Sequence, residues 1–210
     1  TFTPYRGLLL YHGLGSGKTC SSIAIAEGMK TSKKIIVMTP ASLRMNYIEE
    51  LKKCGDDLYK KNQYWEFISI DEINKQEIDA LSNVLSISVE FINKQQGLWL
   101  VNVKKPPNFN TLNSFEKTTL DQQLNEMIRY KYTFYNYNGM RISKLNEMTR
   151  NNTINPFDNS VVIIDESHNF ISRIVNKLQN KSSLSVKLYE YLMNSSNSKI
   201  ILLSGTPIIN

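Results

Sequence analysis

A lysine stands directly after a cluster of glycines in the stretch LLLYHGLGSGKTCSSIAIAEG, at residues 8–28. Glycines at these positions let the backbone turn around an anion, so that successive N–H groups and the start of the next helix point at phosphate oxygens. In such a loop Lys18 would reach the β- and γ-phosphates, and the hydroxyl of Thr19 would bind Mg²⁺. The pattern therefore predicts a phosphate-binding loop formed by Gly13, Leu14, Gly15, Ser16, Gly17, Lys18, Thr19 and Cys20.

The loop departs from the strict pattern for nucleotide binding. That pattern has a glycine, four residues and then Gly-Lys-Ser/Thr, and counting back from Gly17 puts His12 where the first glycine should stand. A glycine-rich turn that carries a solvated lysine is the alternative interpretation. The apolar strand predicted before the loop and the helix predicted after it favour phosphate binding.

Two acidic residues end another apolar run, in the segment VVIIDESHNF. At the carboxyl end of a buried strand, where open α/β sheets bind their ligands, Asp165 can hold a metal ion through its water shell. Glu166 can orient and deprotonate an attacking water molecule. Taken alone, the pair has an equally good structural explanation, because Asp165 or Ser167 can cap the following helix. Together with the glycine loop, the pair favours hydrolysis of a nucleoside triphosphate.

His168 lies two positions beyond Glu166. A lone histidine is more often a packed or surface residue than a catalytic one, but this one would lie beside the γ-phosphate, at the sheet edge where the segment LLSGTP also ends. We therefore include His168 among the catalytic candidates and predict a hydrogen bond from it to Ser204 or Thr206. Through that bond the coupling residues Ser204, Gly205 and Thr206 would report the nucleotide state to a partner above the sheet.

Four apolar runs must position these side chains, at residues 7–11, 34–39, 160–165 and 199–204. Each run is continuous and rich in branched residues, which is typical of strands buried on both faces of a parallel sheet. Helices are predicted between and after them, at residues 18–28, 40–53, 115–130, 141–149, 168–179 and 183–195. This order indicates an α/β fold in which helices flank a central, mainly parallel sheet.

Residues 55–115 mix charges, asparagines and isolated apolar positions around WEFISI and GLWLVNV. We predict an insertion here, with structure of its own, between the second strand and the DESH strand. The later segment RYKYTFYNYNGMR interleaves aromatic and basic residues, as a platform for stacked bases does. Residues 133–137 followed by Asn138-Gly139 also describe a strand that enters a turn, and we favour that interpretation.

The start of the helix predicted at 40–53 is the candidate nucleic-acid surface. Thr39, Ser42 and the unpaired N–H groups of a helix start suit a phosphate, and Arg44 adds positive charge. We assign Thr39 as the N-cap of that helix and Pro40 as its first residue. An ordinary capped helix has the same sequence, so the residues alone leave both interpretations open.

Composition adds little about function. The 210 residues include 25 Lys and Arg against 19 Asp and Glu, and the net charge of +6 suits a polyanionic partner as well as many other proteins. No apolar run approaches the roughly 18 residues of a membrane span, so we expect no membrane partner. The chain begins at Thr1 and ends at Asn210 just after a predicted strand, so we expect a fragment of a longer protein.

Four short motifs, GLGSGKT, TPASLR, DESH and SGTP, occur in this order at the ends of predicted strands. They resemble motifs I, Ia, II and III of superfamily 2 helicases and translocases. The longer stretches LLLYHGLGSGKT, NPFDNSVVIIDESHNFISRIVNK and LLSGTPIIN are similar to the helicase-like nucleoside triphosphatases of large cytoplasmic DNA viruses, the type of poxvirus nucleoside triphosphate phosphohydrolase I and of the poxvirus early transcription factor small subunit. The resemblance covers nearly the whole chain except residues 55–115.

By this resemblance, residues 1–210 are the first of two RecA-like domains of a translocase that uses ATP and Mg²⁺ to move on nucleic acid in viral transcription. The resemblance favours DNA over RNA as the nucleic acid, and the residues themselves leave both open. It implies as further partners the second RecA-like domain of the same polypeptide and viral RNA polymerase or transcription factors. It also implies a location in the host cytoplasm and the virion, without secretion. Because the arginine fingers belong to the second domain, we expect the chain alone to hydrolyse ATP slowly.

Two other functions can be weighed against this one. A regulatory or scaffold module of a viral transcription complex would keep the nucleotide pocket but turn over little ATP. A small-molecule kinase is disfavoured, because no segment resembles an acceptor-binding lid and the SGTP motif would have no role. The presence of Lys18, Thr19, Asp165 and Glu166 together favours the translocase.

Overall fold

The computed structural model describes residues 5–13, 15, 17–180 and 182–206. By their contacts these residues form two compact units. The first consists of the described parts of Thr1–Tyr47 and Tyr132–Asn210, and the second of Ile48–Lys131. Within the described residues, none of the helices has the length and apolar character needed to cross a membrane.

The regular elements alternate along much of the chain. The strands are β1 (Gly7–Tyr11), β2 (Lys34–Thr39), β3 (Trp65–Ser69), β4 (Gly97–Val101), β5 (Tyr132–Asn136), β6 (Ser160–Ile164) and β7 (Lys199–Ser204). The α-helices are α1 (Lys18–Glu27), α2 (Arg44–Cys54), α3 (Lys75–Leu85), α4 (Val89–Gln95), α5 (Ser114–Lys131), α6 (Ile142–Met148), α7 (Ser167–Val175) and α8 (Leu184–Met193).

The first unit contains a five-stranded sheet with the order β1-β7-β6-β2-β5, and all neighbouring strands are parallel. The α/β fold with a central parallel sheet is therefore confirmed, as are the four predicted strands and the additional strand at Tyr132–Asn136. Parallel strands run in one direction, so their carboxyl ends meet at one edge. The register shows this directly, because Tyr11 pairs with Ser204 and Thr39 pairs with Asn136.

The centre of the sheet supplies the core of this unit. Every residue of β6 is buried, and so is every residue of β2 after Lys34. Apolar side chains of these strands pack against α7 and α8 in a cluster that includes Ile36, Met38, Val162, Ile164, Phe170, Ile174, Leu188 and Leu192. The core thus fixes the two strands whose ends carry Thr39 and Asp165.

Strand β1 departs from the sequence prediction of a strand buried on both faces. Leu8, Leu9 and Tyr11 are 45%, 49% and 53% exposed. The reason is that, among the described residues, β1 lies at the edge of the sheet and pairs with β7 alone. A continuous apolar run therefore does not distinguish an edge strand from a central one.

The helix predicted at 40–53 begins later than expected. Thr39 is the last residue of β2, Pro40 has the extended ψ of 142°, and a 3₁₀ turn at Ala41–Leu43 precedes α2. The assignment of Thr39 as a helix N-cap is therefore wrong. Proline disfavours the helical conformation in the residue before it, which keeps Thr39 in the strand.

The second unit is built around an antiparallel pair, β3 and β4, which joins Trp65 to Val101 and Ser69 to Gly97. Helix α5 is attached to β4 by the buried side chain of Gln123. Its Nε2 donates to the Trp99 carbonyl and its Oε1 accepts from the Trp99 N–H, both at 2.8 Å. The Gln123 amide thus pairs with both the N–H and the carbonyl of Trp99, as the main chain of a neighbouring strand would. Residues 55–115, predicted as an insertion, lie inside this unit.

An ion network lies in the second unit. Lys52, whose side chain has no exposed surface, donates to Glu49 at 2.8 Å and to Asp121 at 2.6 Å. Lys61 contacts the same two carboxylates, each at 2.8 Å. Burial alone would raise the pKa of Glu49 and of Asp121, but the hydrogen bonds and charges of the two lysines outweigh it and lower both pKa values.

Replacing Asp121 by asparagine should destabilise the second unit. The buried Lys52 would lose one carboxylate partner, and we expect a loss of about 1–2 kcal/mol in the free energy of unfolding, since Asp121 is itself partly exposed. Urea unfolding followed by tryptophan fluorescence reports this unit, because the chain has two tryptophans, Trp65 and Trp99. Asp57→Asn, at a carboxylate that is 85% exposed, is the control and should change stability little.

The network should also make this unit sensitive to acid. A carboxylate whose pKa is lower in the folded than in the unfolded chain stabilises the fold above its unfolded pKa of about 4, and that contribution is lost as the pH falls through the folded pKa. We expect the tryptophan-monitored stability to decrease between about pH 5 and pH 3, and to decrease less in Asp121→Asn. An equal decrease in both proteins would contradict this assignment.

Candidate functional site

The glycine loop takes a conformation that other residues rarely adopt. Gly15 and Gly17 have φ angles of 75° and 79°, in the left-handed region. A Cβ atom placed at either glycine would meet no other described atom within 4 Å. The glycines are therefore required by the turn of the backbone, and the loop keeps open space around it.

The start of α1 lies at the end of this loop. Gly17 precedes the helix, and no side chain of the described residues caps its first turn. The first turn also contains no acidic residue that would repel an anion. Thr19 and Cys20 lie half-buried in this turn. The helix dipole and the main-chain N–H groups of a helix start make the position suitable for a phosphate.

Lys18 lies against the loop that precedes it. Its Nζ donates to the carbonyl oxygens of His12 at 2.7 Å and of Gly13 at 2.9 Å. The loop and the acidic segment meet at one edge of the sheet, since the His12 N–H donates to the Ser204 carbonyl and the Ser204 hydroxyl contacts His168. Leu14 and Ser16, also predicted to bind phosphate, are outside the described residues.

Asp165 directly follows β6 and is mostly buried. Its N–H donates to the Met38 carbonyl at 2.8 Å, and its Oδ1 accepts from the Glu166 N–H at 3.0 Å. Burial and the charge of Glu166 raise the pKa of Asp165, and the N–H of Glu166, the hydroxyl of Thr39 and the charge of Lys18 offset only part of that increase. A carboxylate in this state gains stability from a further cation, so the position fits a metal ligand.

Thr39 lies inside the sheet beside the acidic site rather than on a nucleic-acid surface. The residue is fully buried, and its hydroxyl donates to the Pro40 carbonyl at 3.3 Å. Its predicted side-chain contact with nucleic acid is therefore wrong, because the side chain has no exposed surface. Ser42 is exposed in the 3₁₀ turn, and Arg44 is half-buried with its guanidinium 5.3 Å from the ring centre of Phe134.

Glu166 has a left-handed backbone, with φ 48° and ψ 49°. For a residue other than glycine this conformation costs roughly 1–2 kcal/mol. Glu166 occupies the N-cap position of α7 without a side-chain cap, and the Oγ of the buried Ser167 has no partner among the described residues. The alternative in which Asp165 or Ser167 caps α7 is thus wrong, and the Glu166 carboxylate projects from a constrained turn.

Tyr137 is part of this site, although the sequence did not indicate it. Its hydroxyl donates to the main-chain carbonyl oxygens of Asp165 at 2.9 Å and Glu166 at 3.0 Å. The ring is 5% exposed and its centre lies 5.4 Å from that of Phe170. A buried ring does not stack on bases, so the stacking-platform alternative is wrong for Tyr137. The signal that could have indicated this role is that Tyr137 directly follows β5, whose carboxyl end lies at the same sheet edge as Asp165 and Glu166.

His168 makes the predicted hydrogen bond to the SGTP segment. Its Nδ1 lies 3.1 Å from the Ser204 Oγ and 3.4 Å from the Glu166 Oε2. The Ser204 hydroxyl donates its proton to the Thr206 carbonyl at 2.7 Å. Nδ1 must therefore be the donor to Ser204, which leaves Nε2 as the acceptor of the neutral ring. Gly205, the other coupling candidate, is half-buried between the two hydroxyl residues.

Strand β7 connects these residues to the glycine loop. In the sheet it lies between β1, which leads into the loop, and β6, which leads into the acids. The His12 N–H donates to the Ser204 carbonyl at 3.4 Å, while the Ser204 side chain faces His168. Ser204 therefore contacts both halves of the candidate site.

Comparisons with known proteins show which proteins this chain is similar to. A family model described as "Type III restriction enzyme, res subunit" (ResIII) matches residues 3–209. The "Putative ATP-dependent RNA helicase R563" of Acanthamoeba polyphaga mimivirus is 29% identical over 210 residues, which are 99% of this chain and 28% of that protein. The "Termination factor NPH-I homolog" of African swine fever virus is 24% identical over 202 residues, 96% of this chain and 20% of that protein.

Among solved structures, the Sulfolobus solfataricus SWI2/SNF2 ATPase core in complex with dsDNA matches with a TM-score of 0.43 and 18% identity. The match covers 96% of this chain and 28% of that one. The chain therefore spans less than a third of each of these two viral proteins and of the chain in the solved structure.

Lys18→Ala should weaken the binding of a nucleoside triphosphate about tenfold or more, because a charge-assisted hydrogen bond to the phosphates is lost. Titration of a fluorescent triphosphate analogue in the presence of Mg²⁺ measures this. Lys34→Ala is the matched control, since Lys34 is an exposed lysine at the amino end of β2, away from the loop. Unchanged binding in Lys18→Ala would show that Lys18 and its loop do not bind the phosphates.

Proposed function

We propose that this chain binds and hydrolyses ATP and thereby drives movement of a longer protein on nucleic acid. The premise is that the chain belongs to the ResIII family of helicase-like, superfamily 2 domains. The observation that carries the proposal is that the glycine loop and the acidic pair lie at one sheet edge, where Ser204 contacts His12 through its main chain and His168 through its side chain. This is the arrangement that binding and cleavage of a triphosphate need.

The phosphate chain of ATP would be held by the N–H groups of the loop and of the start of α1, together with the Lys18 ammonium. Thr19 and Asp165 are the residues that would hold Mg²⁺, the one by its hydroxyl and the other by a carboxylate that burial makes costly to ionise. When bound, Mg²⁺ supplies positive charge that neutralises the phosphate oxygens. Lys18 must exchange its bonds to His12 and Gly13 for bonds to the phosphates.

Glu166 is the residue that would orient the attacking water and accept its proton. The side chain of Glu166 is 26% exposed, so water reaches it, and its backbone has the left-handed conformation of the turn after β6. His168 lies beside it with Nε2 free to accept or, when protonated, to donate a hydrogen bond. Its bond to Ser204 provides a route by which a change at the nucleotide reaches the SGTP segment.

For the partners, we propose that nucleic acid contacts the exposed Ser42 and the neighbouring Arg44 at the start of α2. We propose DNA as the preferred nucleic acid. The first relative carries the name of a putative RNA helicase, so both DNA and RNA belong in the test. A second RecA-like domain in the longer protein would supply arginine fingers, and viral RNA polymerase or transcription factors would be further partners in the host cytoplasm.

Glu166→Gln should retain ATP binding and lose turnover by about 10²-fold or more, because the general base is removed. The measurement is steady-state ATP hydrolysis by the longest available form of the protein, without nucleic acid, with duplex DNA and with RNA of the same sequence. Glu147→Gln, at an exposed glutamate of α6, is the control and should keep full activity.

We expect DNA to stimulate the unmodified protein more than RNA does. Binding of ATP with no turnover above that of Glu166→Gln, with or without nucleic acid, would contradict the motor function. That result would support a nucleotide-binding scaffold module instead.

A further inference from the structure

Tyr137 spans the end of a strand to reach the acidic pair. It follows β5, and β2 lies between β5 and β6 in the sheet. The Tyr137 side chain therefore passes the end of β2 and brings its hydroxyl to the carbonyls of Asp165 and Glu166, at 2.9 and 3.0 Å. This contact joins residues that are 28 and 29 positions apart.

The two accepting carbonyls are successive, which restricts the backbone between them. In an extended chain successive carbonyls point to opposite sides. They meet one hydroxyl here because Glu166 has helical-type dihedral angles of the left-handed sense, φ 48° and ψ 49°. The Tyr137 bonds are thus compatible with the unusual turn and would be lost if residues 165–166 became extended.

The tyrosine itself is held in place. Its ring is 5% exposed and packs against Phe170 in the first turn of α7. Both partners of the hydroxyl are carbonyl oxygens, which only accept, so the hydroxyl is the donor in both contacts.

We infer that Tyr137 is a positioning residue, which holds the Asp165–Glu166 turn in its left-handed conformation and so fixes the direction of the Glu166 carboxylate. The inference concerns the apo chain, and only its kinetic consequence rests on the proposed function. A general base must lie within hydrogen-bond distance of its water, and small displacements of such a group reduce rates strongly. Tyr137 acts through the main chain and need not touch the substrate.

Tyr137→Phe is the direct test, because phenylalanine keeps the buried ring and removes only the hydroxyl. Tyr135→Phe is the matched control. Tyr135 lies in β5, packs against the same core and makes no hydroxyl hydrogen bond among the described residues. Three quantities are measured for each protein: amide hydrogen exchange of residues 160–170 without nucleotide, the thermal unfolding midpoint, and kcat and KM for ATP.

We expect Tyr137→Phe to exchange the amides of residues 165–169 several-fold faster than the unmodified chain and to lower kcat about tenfold, with KM for ATP changed by less than about twofold. Tyr135→Phe should match the unmodified chain in both respects. A loss of packing alone would lower the unfolding midpoint and would not single out kcat.

The outcomes separate this inference from the proposed function. If the unmodified protein hydrolyses no ATP, the proposed function fails, and the exchange measurement still decides whether Tyr137 holds the turn. Unchanged exchange at residues 165–169 in Tyr137→Phe would overturn the inference. Equal effects in Tyr135→Phe and Tyr137→Phe on exchange and kcat would overturn it as well.

Discussion

The parallel pairing of five strands is the constraint on which the first unit depends. It brings the carboxyl ends of β1, β7, β6 and β2 to one edge of the sheet, so that segments distant in sequence lie close together. Each segment then contributes what its local chemistry allows. The end of β1 contributes a glycine turn, β6 contributes two carboxylates, and β2 contributes the buried hydroxyl of Thr39 beside Asp165. Because β2 and β6 are buried, the positions of these groups along the strand direction are fixed.

Much of this arrangement was predictable from the sequence, because it follows from local patterns. Continuous runs of branched apolar residues identified the strands, and the glycines around Lys18 identified the turn that precedes α1. The sequence failed where the outcome depends on neighbours in the sheet. The exposure of Leu8 and Leu9 is set by the edge position of β1. The burial of Thr39 follows from its pairing with Asn136 on one side and from the strand β6 on the other.

The contacts of Tyr137 and Gln123 show why side-chain bonds to the main chain are hard to foresee. Tyr137 reaches carbonyls 28 and 29 positions away, and Gln123 binds both main-chain groups of Trp99, 24 positions away. Neither residue type marks such a role, since the preference of tyrosine for strands and of glutamine for helices does not indicate which main-chain group the side chain binds. Their roles follow from which unpaired carbonyls and N–H groups lie within reach after folding, and only the tertiary structure supplies that information.

Ser204 makes one hydrogen bond through its main chain and another through its side chain. Its carbonyl accepts from His12 and its hydroxyl bonds with His168, while the residue itself is 1% exposed. The bond from His12 comes from its main-chain N–H, which every residue except proline keeps, whereas the bond to His168 needs the imidazole ring. A change of side chain at position 12 therefore leaves the glycine loop attached to β7, while a change at position 168 breaks the contact between β7 and the acidic segment.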